Sequence, residues 1–312
     1  GAAAAAVTGA GPLRSISADE IDRALDYPAL IAALDDAFRA DIVVPARHHH
    51  TIARGSKDPA VKTADATLLI MPAWHGDAGG FIGCKLATIF PDNARLGKPS
   101  LYGQYLLLSG ATGEPLAVLD GRVLTAWRTG AASALAARYL ARPDAAHLVM
   151  IGAGALAPHL VRAHAAVRPI KRVTLWNRSR ARAVATAFAL AAGGIETEVT
   201  DDLAAAVREA DIVSCATLAT EPVLKGAWLK AGTHVDLVGS FTPRMREADD
   251  RVLTRARLFV DTRGALKEAG DLTGPLRRKV IAPADIRGDL SELCRGTVKG
   301  RRNAREITLF KS

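Results

Sequence analysis

Short apolar runs alternate with segments of helical periodicity in the second half of this sequence. The runs are HLVMIGAG, RVTLWN, ADIVSCAT, THVDLVGS and RLFVDT. Each run has the length of a buried strand, and the segments between the first three are long enough to form crossover helices. Such an alternation is typical of a doubly wound parallel sheet, so the sequence predicts an α/β fold.

A phosphate-binding loop is predicted at Gly152-Ala-Gly154-Ala-Leu-Ala157, between the first of these strands and an alanine-rich helix. Gly152 suits a tight turn, Gly154 allows the backbone to approach a pyrophosphate, and Ala157 allows close packing of helix on strand. The positive end of the helix then faces the anion. We therefore predict a Rossmann domain that binds a dinucleotide through Gly152, Gly154, Ala155 and Leu156.

The segment WNRSRAR follows the second strand, where NAD-binding proteins carry an acid that binds the ribose 2′-hydroxyl. Here Asn177 removes the charge that would repel a 2′-phosphate, and Arg178 and Ser179, with Arg180 near, offer a guanidinium and a hydroxyl to bind it. We predict NADPH as the cofactor, with NADH possible. The alternative is that these arginines only form a solvated start of a helix.

The first half of the sequence has a different texture. Ser17 is a candidate N-cap for one or two opening helices, and the runs ATLLIMPAW, GFIGCKLATIF, YGQYLLLSG and EPLAVLDG predict an antiparallel sheet. A long alanine-rich helix follows, VLTAWRTGAASALAARYLA. We predict an α+β domain over residues 1–123, rejoined by residues 300–312, and the Rossmann domain over residues 124–299.

Three cations are candidates for binding a small anionic substrate: Arg47 in VVPARHHHTI, Lys85 in an apolar strand, and Arg128 on the alanine-rich helix. A cation in apolar surroundings requires an anionic partner or ligand, although each could also be an ordinary surface cation. The adjacent histidines 48–50 would point to alternate faces of a strand, so no metal site is predicted.

The composition narrows the possible partners and the location. The formal charge is +9, but basic residues are spread along the chain and only KGRRNAR near the end is dense, so we expect a basic surface that attracts small anions and no nucleic-acid partner. No apolar stretch is long enough to span a membrane. Three distant cysteines and the absence of a secretory signal predict a cytoplasmic location.

Several segments resemble the ornithine cyclodeaminase/mu-crystallin family. They are GCKLATIFPDN, SGATGEPLAVLDGRVLTAWRTGAASALAARYLA, IGAGALA, WNRS, ATLATEPVLKGAWLKAGTHVDLVGSFTPRMREAD and LKEAGDL. The resemblance implies a homodimer that pairs through the sheet of residues 1–123. It also implies that Arg47, Lys85 and Arg128 bind the substrate and its carboxylate. Thr217, Leu218 and Val238 would then line the nicotinamide cofactor.

One departure from the family pattern bears on the reaction. Cyclodeaminases carry a catalytic aspartate in a segment that corresponds to VGSFTPRM here, and Phe241 stands at its position. A phenyl ring cannot accept a proton. The segment resembles members that reduce cyclic 2-imino acids to proline or pipecolate, which is the predicted activity. The alternatives are ornithine cyclodeaminase, an alanine-type dehydrogenase and a non-catalytic NADPH-dependent ligand-binding protein.

Overall fold

The computed structural model of this protein describes residues 13–55, 63–76 and 79–312. The alanine-rich start of the sequence lies outside the described residues. The chain divides into two compact units: unit 1 comprises Gly1–Leu25 and Ala40–Thr125, and unit 2 comprises Asp26–Arg39 and Ala126–Ser312. Each unit has its own sheet.

Unit 1 contains a mainly antiparallel sheet, which has seven strands among the described residues, in the order β1-β7-β6-β5-β4-β2 with β3 also on β4. Only β1 pairs in parallel, with β7. The strands are β1 (Arg14–Ile16), β2 (Ile42–Val43), β3 (His48–Ile52), β4 (Ala66–His75), β5 (Phe81–Ile89), β6 (Leu101–Ser109) and β7 (Pro115–Asp120). The four long runs identified in the sequence therefore form β4 to β7, as predicted.

The opening helix of unit 1, α1 (Ala18–Ala24), begins where its sequence predicts. The Ser17 hydroxyl accepts a hydrogen bond from the Glu20 backbone N–H, and the Glu20 carboxylate accepts one from the Ser17 backbone N–H at 2.8 Å. This reciprocal capping box satisfies two backbone donors that the first helical turn leaves free.

Unit 2 contains a sheet with eight strands among the described residues, in the order β10-β9-β8-β11-β12-β15-β13-β14, all paired in parallel. The strands are β8 (His147–Ile151), β9 (Arg172–Trp176), β10 (Thr197–Val199), β11 (Ile212–Cys215), β12 (His234–Leu237), β13 (Ala256–Val260), β14 (Ile286–Asp289) and β15 (Ile307–Lys311). The predicted doubly wound parallel sheet is confirmed, and the fold is α/β.

Nine further α-helices follow α1 in the described ranges. They are α2 (Tyr27–Arg39), α3 (Gly121–Leu140), α4 (Ala157–Val167), α5 (Arg180–Ala192), α6 (Leu203–Glu209), α7 (Asp250–Arg255), α8 (Ala265–Glu268), α9 (Gly270–Arg277) and α10 (Leu290–Cys294). Both faces of the sheet of unit 2 are covered. On β8, Leu148 and Met150 pack into one apolar cluster and Val149 and Ile151 into another, all four fully buried.

The structure corrects two parts of the predicted domain division. Residues 300–312 do not rejoin the first domain, because β15 inserts between β12 and β13 and completes the parallel sheet. Helix α2 belongs to unit 2, where Ile31 is 2% exposed and lies in one cluster with Leu290 and Leu293. Burial of these apolar side chains stabilises α2 within unit 2, although α2 lies closer in sequence to the first residues of unit 1.

Candidate cofactor-binding site

A cavity of about 530 Å³ lies at the carboxyl ends of β8, β9 and β11. In the sheet, β9 and β10 lie on one side of β8, and β11 and β12 lie on the other. The strand order therefore reverses at β8, and such switch points are where doubly wound sheets bind ligands. The cavity is lined by Gly152, Ala153, Gly154, Trp176, Asn177, Arg178, Ser179, Arg182, Ala216, Thr217, Leu218, Ala219 and Val223.

The glycine loop forms one wall and requires its glycine at position 152. Gly152 has a φ of +109°, and a Cβ there would lie 2.5 Å from the Ala216 carbonyl oxygen. Gly154 has open space where a Cβ would be. Helix α4 starts directly after the loop without a side-chain cap and without an acid in its first turn. Free N–H groups and the helix dipole at that point suit a phosphate.

The second wall follows β9 and carries the basic residues. The Asn177 side chain accepts a hydrogen bond from the Ala153 N–H at 3.2 Å and donates one to the Ser179 carbonyl at 2.9 Å, so it joins the two walls. Arg178 and Arg182 are exposed, and among the described residues neither side chain has a hydrogen bond or ion pair. They are therefore available to an anion.

No aspartate or glutamate occurs among the described residues that line this cavity. The position after β9 thus lacks the carboxylate that would repel a 2′-phosphate, as expected from the sequence. Arg180, expected to lie near that phosphate, instead forms an ion pair with Asp201 and is not in the lining. Arg182, in the first turn of α5, is in the lining instead. Together the two walls fit a dinucleotide that carries several phosphates.

Glu247 fixes the loop that forms the third wall. Its carboxylate accepts hydrogen bonds from the Thr217 N–H at 2.7 Å, the Thr217 hydroxyl at 2.8 Å and the Gly239 N–H at 2.7 Å. Burial, reinforced by the nearby carboxyl of Asp271, raises the pKa of Glu247 to about 7. From the sequence Glu247 could be structural but has no assigned role, because its partners lie on loops that only the fold brings together.

Seven of the ten predicted cofactor residues line the cavity, and three do not. Ala155 and Leu156 belong to the same loop but are absent from the lining. Val238 is 7% exposed and packs in the apolar cluster that contains Leu148 and Met150 of β8. The sequence interpretation missed Trp176, Ala216 and Val223, among others, although the first two directly adjoin residues that it identified.

The three predicted substrate cations belong to different units. Lys85 lies in β5 of unit 1, half-buried, and its Nζ donates a hydrogen bond to the Thr125 hydroxyl at 2.6 Å. Arg47 is exposed just before β3 in the same unit, and Arg128 is exposed on α3 within unit 2. Their binding of a substrate carboxylate stays a prediction.

The acid that family cyclodeaminases use has no counterpart at the matching position. Phe241 follows β12 and is 63% exposed. Asp236, in β12 itself, is fully buried, and its carboxylate accepts a hydrogen bond from the Ser214 hydroxyl at 2.7 Å and contacts His164. A buried and paired carboxylate of this kind holds the fold together and cannot reach a substrate.

The described residues contain no group of three His, Cys, Asp or Glu side chains placed to hold a metal ion. His48 and His50 lie on one face of β3, with ring centroids 6.3 Å apart. No helix within the described ranges has the length and apolar character needed to cross a bilayer.

Comparison with known proteins adds independent information. The chain is 36% identical to a Δ1-pyrroline-2-carboxylate reductase of Colwellia psychrerythraea, over 96% of this chain and 94% of that one. It is 40% identical to the Paracoccus denitrificans protein of the same name, over 87% and 86%.

A solved structure, the Thermococcus litoralis Δ1-pyrroline-2-carboxylate reductase in complex with NADH and L-proline, superposes with a TM-score of 0.87 at 33% identity. The superposition covers 96% of this chain and 92% of that one. The sequence profile of the ornithine cyclodeaminase/mu-crystallin family matches residues 31–312. The protein described here is therefore a member of the ornithine cyclodeaminase/mu-crystallin family.

Proposed function

We propose that this protein reduces a cyclic 2-imino acid, Δ1-pyrroline-2-carboxylate or Δ1-piperidine-2-carboxylate, to L-proline or L-pipecolate with NADPH. The observation that carries the proposal is the cavity at the sheet switch point, with a glycine loop on one wall and two arginines on the other. These arginines, Arg178 and Arg182, have no side-chain partner within the part of the chain that the structure describes. The names of the reductase relatives support the reaction, and Phe241 argues against the cyclodeaminase alternative.

The chain's own residues would hold the cofactor at defined points. The N–H groups of the glycine loop and of the first turn of α4 bind the pyrophosphate, and Arg178 and Arg182 bind the 2′-phosphate of the adenosine ribose. Thr217, held by Glu247, borders the same cavity. When bound, the cofactor supplies the hydride that the imine carbon accepts.

The substrate carboxylate would be bound by Arg47 and Arg128, with Lys85 beside the carboxylate or the imine nitrogen. These cations orient the ring, and orientation supplies a large part of the rate in such reactions. Reduction of a neutral imine to an amine requires one proton on nitrogen in addition to the hydride on carbon. A substrate that arrives as the protonated iminium brings this proton itself, so no acid need stand at the position of Phe241.

The same proposal includes a homodimer and a cytoplasmic location. The family resemblance supports the dimer, and the cysteine pattern supports a reducing compartment. Analytical ultracentrifugation of the purified protein tests the first point. A sedimentation coefficient that corresponds to a monomer at micromolar concentration contradicts it.

Loss of reduced-nicotinamide absorbance with five-membered and six-membered cyclic imino acids tests the reaction. Turnover of at least one imino acid is expected, together with no formation of proline from ornithine. Pyruvate with ammonia or methylamine tests the alanine-type alternative. Tight NADPH binding without turnover of any of these substrates contradicts the proposal and favours a ligand-binding protein.

Two variants with matched arginine losses test the cofactor preference. Arg178→Ala removes a guanidinium from the cavity lining, whereas Arg180→Ala removes one that pairs with Asp201 outside it. A lost charge-assisted contact costs about 1.5–3 kcal/mol, so kcat/KM for NADPH should fall about 10-fold or more in Arg178→Ala only, with NADH almost unaffected. Equal effects of the two variants on both cofactors contradict the assignment.

A further inference from the structure

A second cavity in unit 2, of about 750 Å³, lies at the amino ends of strands of the parallel sheet, opposite to the end that borders the cofactor cavity. Its lining includes the first residues of β13 and β15, Ala256 and Ile307, whereas the cofactor cavity lies at carboxyl ends of strands. Its volume is within the range of small-molecule sites, about 300–1,000 Å³. The proposed reaction makes no use of it.

Guanidinium groups dominate this cavity. Its lining contains five arginines, Arg255, Arg257, Arg287, Arg302 and Arg305, and two acids, Asp285 and Glu306. Five positive and two negative side chains leave a formal charge of +3 on one concave surface. Like charges held close together repel each other, and a bound anion relieves that repulsion.

The five arginines differ in how far the protein itself satisfies them. Arg255 donates to the carbonyls of Gly226 and Leu229, and Arg302 pairs with Glu306 at 2.8 Å. Within the described part of the chain, the side chains of Arg287 and Arg305 have no hydrogen bond or ion pair. Two guanidiniums are therefore available to a ligand.

Arg257 is partly satisfied. It donates to the Lys299 carbonyl at 2.9 Å, but its buried Nε has no partner among the described residues. Burial and then the neighbouring Arg302 lower the pKa of Arg257, and Arg287 acts in the same direction. These charges are thus close enough to interact around one space.

The basic sequence KGRRNAR, which the proposed reaction leaves unexplained, contributes to this cavity. Arg301 turns inward and donates to the Leu140 carbonyl at 2.7 Å and the Thr308 hydroxyl at 3.0 Å. Arg302 and Arg305, in contrast, are exposed and line the cavity. The hydrogen bonds of Arg301 therefore fix the basic segment in a position from which Arg302 and Arg305 reach the cavity.

We propose that this cavity, named here the arginine cavity, binds a polyanion of the oligophosphate class. A chain of phosphates presents several charges and many acceptor oxygens in a short length, which matches guanidinium donors arranged around a concave site. The phosphates of a nucleotide and a free inorganic chain share this chemistry. The site is separate from the cofactor cavity and does not depend on the proposed reaction.

Calorimetric titration of the full protein with inorganic tripolyphosphate, with EDTA present, tests the proposal. Saturable binding near one per chain is expected, undiminished by NADPH and weakened several-fold when salt rises from about 50 to 200 mM. The double variant Arg287→Ala/Arg305→Ala should bind about 10-fold more weakly or worse. The control double variant Arg23→Ala/Arg208→Ala removes two exposed arginines elsewhere and should bind as the wild type does.

Several results overturn the proposal. Absence of saturable binding overturns it, as does binding that NADPH abolishes, because the anion then occupies the cofactor cavity. Equal weakening in both double variants indicates diffuse surface charge. Tighter binding of a single-stranded oligonucleotide than of tripolyphosphate at equal phosphate concentration indicates a nucleic-acid surface instead. ATP as a second titrant shows whether a nucleoside adds to the phosphate chain.

Discussion

Replacement of Glu247 by glutamine should remove one pH-dependent contribution to the stability of unit 2. Glu247 is fully buried, and its pKa is raised from 4.5 to about 7. Between these values the folded protein holds a proton that the unfolded chain has lost, so stability falls as pH rises through this window. Glutamine does not titrate and lacks this effect.

The magnitude follows from the two pKa values. The difference between 4.5 and about 7, at about 1.4 kcal/mol per pKa unit, corresponds to about 3–4 kcal/mol of unfolding free energy. Glutamine can keep the two hydrogen bonds from Thr217 through its carbonyl oxygen. Its amide cannot accept from the Gly239 N–H, which costs about 1–3 kcal/mol at every pH. The pH-dependent part is therefore separable from the constant part.

Urea unfolding, followed by tryptophan fluorescence between about pH 5 and 8, measures this difference. Trp127, Trp176 and Trp228 lie in unit 2 and report on it, whereas Trp74 lies in unit 1. Relative to the glutamine variant, the wild type should lose about 2–3 kcal/mol over this pH range. Parallel pH profiles for the two proteins would refute the reasoning, because they would show that Glu247 does not titrate in this window.

Three further predictions concern other sites. Gly152→Ala places a Cβ 2.5 Å from the Ala216 carbonyl oxygen at a φ of +109°. Equilibrium titration should therefore show cofactor affinity at least about 10-fold weaker, and stability should fall by about 1–3 kcal/mol. Wild-type affinity would contradict the strained turn. Ser17→Ala removes a capping box and should lower the stability of unit 1 by about 1 kcal/mol in a thermal melt, whereas an unchanged melt would show that α1 does not limit that stability. Lys85→Met should raise KM for the imino acid more than KM for NADPH, because Lys85 lies in unit 1 and the cofactor cavity lies in unit 2. Steady-state kinetics that show the reverse would place Lys85 at the cofactor.

Local patterns predicted the features that depend on neighbouring residues. The alternation of strands and helices, the glycine loop and the Ser17 cap each follow from backbone preferences over a few residues, and the structure contains all three. Asn177 and Arg178 were predicted to border the cofactor because they directly follow β9, whose carboxyl end borders the switch point of such a sheet. Residues 300–312 were assigned to the first domain, whereas β15 pairs with β12 and β13, because the pairing partner of a strand is not encoded in the strand itself.

The amino-acid sequence alone determined the fold class, the cofactor loop and the absence of an acid after β9. Tertiary structure decided which arginines of WNRSRAR border the cofactor cavity, how Glu247 ties Thr217 to Gly239, and how arginines from a helix, two strands and a basic loop surround one space. The physical reason is distance along the chain. Propensity and periodicity act between near neighbours, whereas burial, shared hydrogen bonds and charge repulsion act between residues that only the folded chain brings together.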